Sequence, residues 1–131
     1  MTAEGRVSSA SEELAKAREE LRAAEQLVSV DLMRIAATRI YWAVFHAVRA
    51  LLYTEGLEPR SHEGVHHLFH LHFVRTRQFE PSAARLLSRL QKFREEADYA
   101  ETYVPDVEGT KEDLGAAQAF VDTVALRLAS T

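Results

Sequence analysis

The sequence predicts an all-α protein, an antiparallel up-and-down bundle of four helices with an additional C-terminal helix. Three observations carry that expectation. Apolar residues recur at three- and four-residue spacing along most of the chain, no stretch alternates as a strand would, and the three Pro lie outside the periodic segments. No internal repeat, low-complexity tract or long linker divides the 131 residues, so they read as one helical domain with short connections. Residues 1–8 read as a flexible N-terminus.

Ser9-Ala10-Ser11-Glu12 has the form of a capping box, which predicts that the first helix starts there. Leu14, Ala17, Leu21, Ala24 and Val28 form its apolar stripe, with Glu13, Lys16, Glu20 and Arg22 on the other faces and an end near Ser29. Asp31 is the candidate cap of a second helix and Gly56 its candidate terminator, which gives Leu32–Glu55. Its middle, from Ile35 to Val48, is apolar on nearly every face, as expected of a central helix surrounded by neighbours. Ser61 can cap a third helix bearing Val65, Leu68, Phe69 and Phe73. Pro81 suits the first turn of a fourth, with Leu86, Leu87, Leu90, Phe93 and Ala97 inward and Val104-Pro105-Asp106 as its stop. Thr110 is the candidate cap of a last helix striped by Leu114, Ala117, Val121, Val124 and Leu128.

Composition narrows the chemistry. The chain has no Cys, which excludes disulfides, thiolate zinc sites and a Cys nucleophile. Sixteen Lys and Arg against twenty Asp and Glu leave no bulk positive field, so any contact with RNA must be local. No apolar run approaches the roughly 20 residues that span a bilayer, and the opening residues lack the apolar core of a signal peptide. The expected location is cytoplasmic, without a membrane.

Arg39 and His46 interrupt the most apolar helix. Seven residues at about 100° each bring both to one face, two turns apart, with Tyr53 a further seven along. A guanidinium suits a phosphate and an imidazole moves protons near neutral pH, so the pair suits phosphodiester cleavage. In that chemistry His46 helps remove a ribose 2′-proton and Arg39 stabilises the charge that develops on the phosphate. The structural alternative is a buried Arg39 paired with a carboxylate such as Asp98, and a His46 that is merely packed.

His62, His66 and His70 recur every four residues, with His67 and His72 beside them. That spacing can hold a transition metal, yet the only acidic neighbour is Glu63 and no His-Glu-x-x-His pattern is present, so no metal or other cofactor is assigned. Arg94 and Asp98 can form a surface pair at four-residue spacing, or Asp98 can turn inward to orient Arg39 or a histidine.

The segment Ala37-Thr38-Arg39-Ile40-Tyr41-Trp42-Ala43-Val44-Phe45-His46-Ala47 resembles the signature helix of the HEPN superfamily, in particular its small stand-alone bacterial and archaeal branch. Ser61-His62-Glu63-Gly64-Val65 with Phe69 and Phe73 is similar to the family's third-helix segment, and Arg94-Glu95-Glu96-Ala97-Asp98-Tyr99 to its closing stretch. The resemblance implies a helical bundle that forms homodimers. It also implies a metal-independent endoribonuclease whose Arg-x(4–6)-His motif, here Arg39 and His46, meets its copy at a dimer cleft. Tyr41, Arg60, His62 and Arg94 are then candidate RNA- or nucleotide-binding residues, with Asp98 and Tyr99 behind them. Such proteins are often the toxin half of a two-gene system beside a minimal nucleotidyltransferase. A non-catalytic nucleotide-binding or adaptor module that docks a nucleotidyltransferase is the alternative. His46 is followed by Ala47-Val48 where the toxin branch often has His-x-Tyr, so the usual nucleotidylation site is missing. Cleavage also predicts a basic patch, with Arg39, Arg60, Arg75 and Arg77 at the mouth of the cleft.

Overall fold

The computed structural model describes residues 2–99 and 105–130, apart from the side chains of Ala97 and Tyr99. Five α-helices make up the fold, α1 (Ala3–Ser29), α2 (Met33–Thr54), α3 (His62–Phe69), α4 (Pro81–Tyr99) and α5 (Val107–Ala129), with no strand among the described residues. Helix α2 packs against each of the others, and α5 lies on both α1 and α2. Contacts between α1 and α2 fall in residue number on one helix as they rise on the other, as in an antiparallel pair.

The central place of α2 follows from its composition. Ile40, Tyr41, Val44, Val48, Leu51 and Leu52 are fully buried, and so are the alanines that let α1 approach closely. Their surroundings are Leu21 and Ala17 of α1, Phe69 and Phe73 from the α3 segment, Leu87 and Leu90 of α4, and Val121 and Val124 of α5. By length and composition α2 is apolar enough to cross a bilayer, which corrects the sequence-level expectation that no segment qualifies. In the fold that surface is the core of the bundle.

Helix α1 begins seven residues earlier than the capping box suggests. Thr2 is its cap, accepting a hydrogen bond from Gly5 N at 2.9 Å, so Ala3 to Ser8 are already helical. Ser9 and Glu12 lie inside the helix. Asp31 does not cap α2; its φ of +65° places it in the left-handed position that closes α1. Asp31 N bonds Val28 O and Leu32 N reaches back to Leu27 O, the paired bonds of a Schellman ending. Gly56, with φ +73°, closes α2 in the same way through Tyr53 O and Leu52 O.

Ser61 caps α3 as expected, accepting from Gly64 N at 2.9 Å. A π-helical turn, His70–Val74, continues α3, and Arg77 at φ +65° ends it. Pro81 opens α4. The predicted stop of α4 begins at Val104, outside the described residues. Helix α5 starts a turn before Thr110, because Asp106 accepts from Gly109 N and already satisfies the first amides. Thr110 instead turns its hydroxyl to Asp106 O.

Candidate active site

Two rungs of charge cross the seam between α1 and α2. Glu13 belongs to the inward stripe of α1 with Ala10, Ala17, Leu21 and Ala24, and is only 4% exposed. Its Oε2 lies 2.6 Å from His46 Nδ1. Lys16 Nζ stands 3.3 Å from its other oxygen, and Arg49 Nη1 3.7 Å away. Burial alone would raise the pKa of Glu13, but the His46 hydrogen bond and the Arg49, His46 and Lys16 charges outweigh it and hold the group below its usual value. An ionised carboxylate only accepts, so His46 donates from Nδ1. Two turns away, Glu20 and Arg39 repeat the arrangement at 3.0 Å.

The aromatic face of α2 presents a different environment. Tyr41 is fully buried, and its hydroxyl lies 2.6 Å from His62 Nδ1. Burial pushes the Tyr41 pKa up, aided by Glu95 and opposed by Arg94, so the group remains a phenol. Burial, with the Arg94 and Arg49 charges, lowers the His62 pKa against the opposing pull of Glu95, so that ring is neutral. A phenol that donates to His62 Nδ1 pairs with the ring tautomer that carries its proton on Nε2. Trp42 stands between the histidines, 6.0 Å from the ring of His46 and 5.2 Å from that of His62. The Arg94 guanidinium lies over both Tyr41 and Trp42, at 5.4 and 5.5 Å from the ring centres.

A cavity of about 630 Å³ opens on this side, with Trp42, Phe45, Arg49, Tyr53, Arg60 and His62 in its wall. Glu58 contributes a carboxylate. Arg49 lies over the rings of Phe45 and Tyr53 and bonds the Tyr53 hydroxyl.

Arg39 and His46 thus share a face, as their spacing predicts, but each is held by a carboxylate of α1. Tyr41, His62 and Arg94 meet around Trp42, and Arg60 lines the cavity. Of the two arrangements that the sequence leaves open for Asp98, the structure has the surface pair, with Arg94 at 3.2 Å, while Arg39 takes Glu20. The Tyr99 side chain lies outside the described residues. Of the four arginines expected at the mouth of a shared cleft, Arg60 alone is in the wall of this cavity. No group of three His, Asp or Glu side chains suited to a metal occurs among the described residues.

Three residues of the site escaped the sequence reading: Glu13, Glu20 and Arg49. For Glu13 a signal existed, since it stands in register with Ala10, Ala17 and Leu21, where a carboxylate has no reason to be unless something meets it.

Comparison with known proteins assigns the chain to a family. The profile of the HEPN domain matches residues 10–127, and the chain belongs to that family. It is 37% identical over 108 residues to a protein of Methanocaldococcus jannaschii named "Putative toxin MJ0605", covering 82% of this chain and 80% of that protein. A second protein of that organism, "Putative toxin MJ0142", is 32% identical over 87 residues, 66% of this chain and 59% of the other. A "UPF0332 protein" of Thermotoga maritima is 32% identical over 109 residues, 83% of each chain.

Proposed function

We propose that this HEPN-domain protein is the toxin of a two-gene pair and acts as a metal-independent endoribonuclease. It works as a homodimer whose two Arg39–His46 motifs meet at one cleft. The observation that carries the reading is the buried Glu13 on His46 Nδ1, at 2.6 Å. A carboxylate there fixes the imidazole with its basic nitrogen, Nε2, available, and stabilises the imidazolium formed when a proton arrives.

In this scheme Nε2 takes the proton of a ribose 2′-hydroxyl. The oxygen attacks the adjacent phosphorus, the bond to the 5′-oxygen breaks, and that oxygen takes up a proton as it leaves. The products are a 2′,3′-cyclic phosphate and a 5′-hydroxyl. Arg39 uses Nη1 for Glu20 and offers its remaining donors to the phosphate as charge develops. Tyr41, through His62, together with Arg60 and Arg94, shapes the RNA-binding side, with Asp98 steadying Arg94.

The test is a mixed transfer-RNA pool incubated with chelator-treated protein, beside His46→Ala and Arg39→Ala variants shown to remain folded. Cleavage by the native protein and its loss in both variants is the expected result. Intact RNA in every lane would favour the second reading, a non-catalytic nucleotide-binding or adaptor module that docks a minimal nucleotidyltransferase. The closed state of both motif residues, each already on a carboxylate, is the observation on its side.

A further inference from the structure

Arg49 is a cation that neither rung of the seam uses fully. It follows His46 by three residues, which carries it one turn on and rotates it about 60° around α2. Its Nη1 stands 3.7 Å from Glu13, beyond hydrogen-bond reach, and its Nη2 bonds the Tyr53 hydroxyl. Its Nε is buried without a partner among the described residues. A guanidinium has five donors, so most of this one's hydrogen-bonding capacity is unfilled. Arg39, by contrast, already meets its carboxylate at 3.0 Å.

The surroundings say what would fill it. Arg49 borders the 630 Å³ cavity together with Arg60, and the two guanidiniums face one lining carboxylate, Glu58. The remaining wall includes the rings of Trp42, Phe45 and Tyr53. Two forked cations beside aromatic faces match a nucleotide, whose phosphate takes the guanidiniums while its base lies on a ring. The volume falls within the range of small-ligand sites.

We propose that Arg49 is a phosphate-binding residue of this site, and that the cavity receives the nucleotide next to the bond cut at His46. The proposal rests on the RNA-cleavage reading for its neighbour and adds the form of the substrate. A base lying against Trp42 or Tyr53 cannot remain in a duplex, so the strand is single at that nucleotide. The extra phosphate contact also extends the strand's footprint along α2 beyond the Arg39–His46 pair.

Trp42 is the only Trp in the chain and stands in the cavity wall, so its fluorescence reports occupancy without any chemistry. The probe is a short single-stranded RNA oligonucleotide with 2′-O-methyl riboses, which has no 2′-hydroxyl to attack. Saturable quenching is expected for the native protein. Arg49→Gln should weaken binding about tenfold or more, the effect of losing one charged hydrogen bond. It should also flatten the dependence of log affinity on log salt by about 0.7, the value of one single-strand phosphate. Arg49→Lys should restore the salt slope and part of the affinity, and Arg60→Gln, exposed at the rim, should reproduce the loss if Arg49→Gln unfolds. Arg22→Gln, exposed on α1 and outside the cavity wall, should bind as the native protein does.

Native protein that fails to quench saturably, or Arg49→Gln and Arg60→Gln that both bind with unchanged affinity and slope, would overturn the proposal. Cleavage of transfer RNA in the presence of chelator is measured separately. Cleavage that is indifferent to Arg49 discards this inference and keeps the nuclease. Arg49-dependent binding without cleavage does the reverse.

Discussion

The two sides of α2 handle charge in opposite ways. Towards α1, Arg39 and His46 face carboxylates at 3.0 and 2.6 Å, in a seam where Glu13 is nearly inaccessible. Towards the cavity, Arg49 and Arg60 stand among aromatic rings with much of their hydrogen-bonding capacity open. One helix thus carries a side whose motif residues are each paired with a carboxylate and a side whose arginine keeps a buried Nε without a partner among the described residues. Burial of a polar group is therefore a poor guide to its role here. The pairing of its donors and acceptors separates a group that holds another in place from a group that binds.

The most severe way to break this contrast is Glu13→Ala. It strips the counter-charge from His46 and Arg49 at once, and should cost about 3 kcal/mol in urea unfolding, the low end for a broken buried pair because Arg49 and Lys16 keep some solvent. Cleavage should fall with it even at temperatures where the variant stays folded. An unaltered unfolding midpoint would mean that the seam contributes nothing.

Acid should act on both sides, in sequence. His62 and His66 bind protons less readily in the fold than at the ordinary value of 6.5, for burial opposes their charge, aided by Arg94 at His62 and by His62 at His66. The unfolded chain therefore protonates first, so the stability they contribute is complete above 6.5 and is lost as the pH falls through their lower folded values. Glu13, held below 4.5, keeps its contribution to a lower pH and loses it only as the pH falls below 4.5 towards its folded value. Urea midpoints followed into acid should show two descents, and a His62→Gln, His66→Gln double variant should lack the earlier one. A single descent below 4.5 in the native protein would contradict the neutral state of the histidines.

The smallest effect is expected at the rim. Asp98→Asn removes a pair whose carboxylate is 38% exposed, and should change stability by less than about 0.5 kcal/mol. A larger loss would show that the pair contributes to the stability of α4 as well as steadying Arg94.

The fold was more legible than the site. A helix apolar on every face can only be central, and Ser61, Gly56 and Pro81 mark ends because capping geometry is local. Asp31 misled for a related reason, since an Asp before a helix can start the next one or finish the last, and a left-handed φ decides which. At the site, spacing placed Arg39 and His46 together because both lie on one helix. It could not supply their partners, because nothing in the spacing of α2 says which turn of α1 lies opposite. Leu14 does pack against the core, but reading Glu13 beside it as an outer residue moved the carboxylate that orients His46 to the outside.

The tight Schellman reversals at Asp31 and Gly56 also bear on how the molecule is made. They fold the chain back on itself so promptly that both carboxylates, both motif residues and the whole cavity wall lie between Glu13 and Val65. A ribosome delivers all of these before α4 and α5, whose Leu87, Leu90, Val121 and Val124 contribute mainly apolar cover. During synthesis, then, the reactive groups are assembled first and the later helices close over them, with Arg94 the one cation that α4 adds against Trp42.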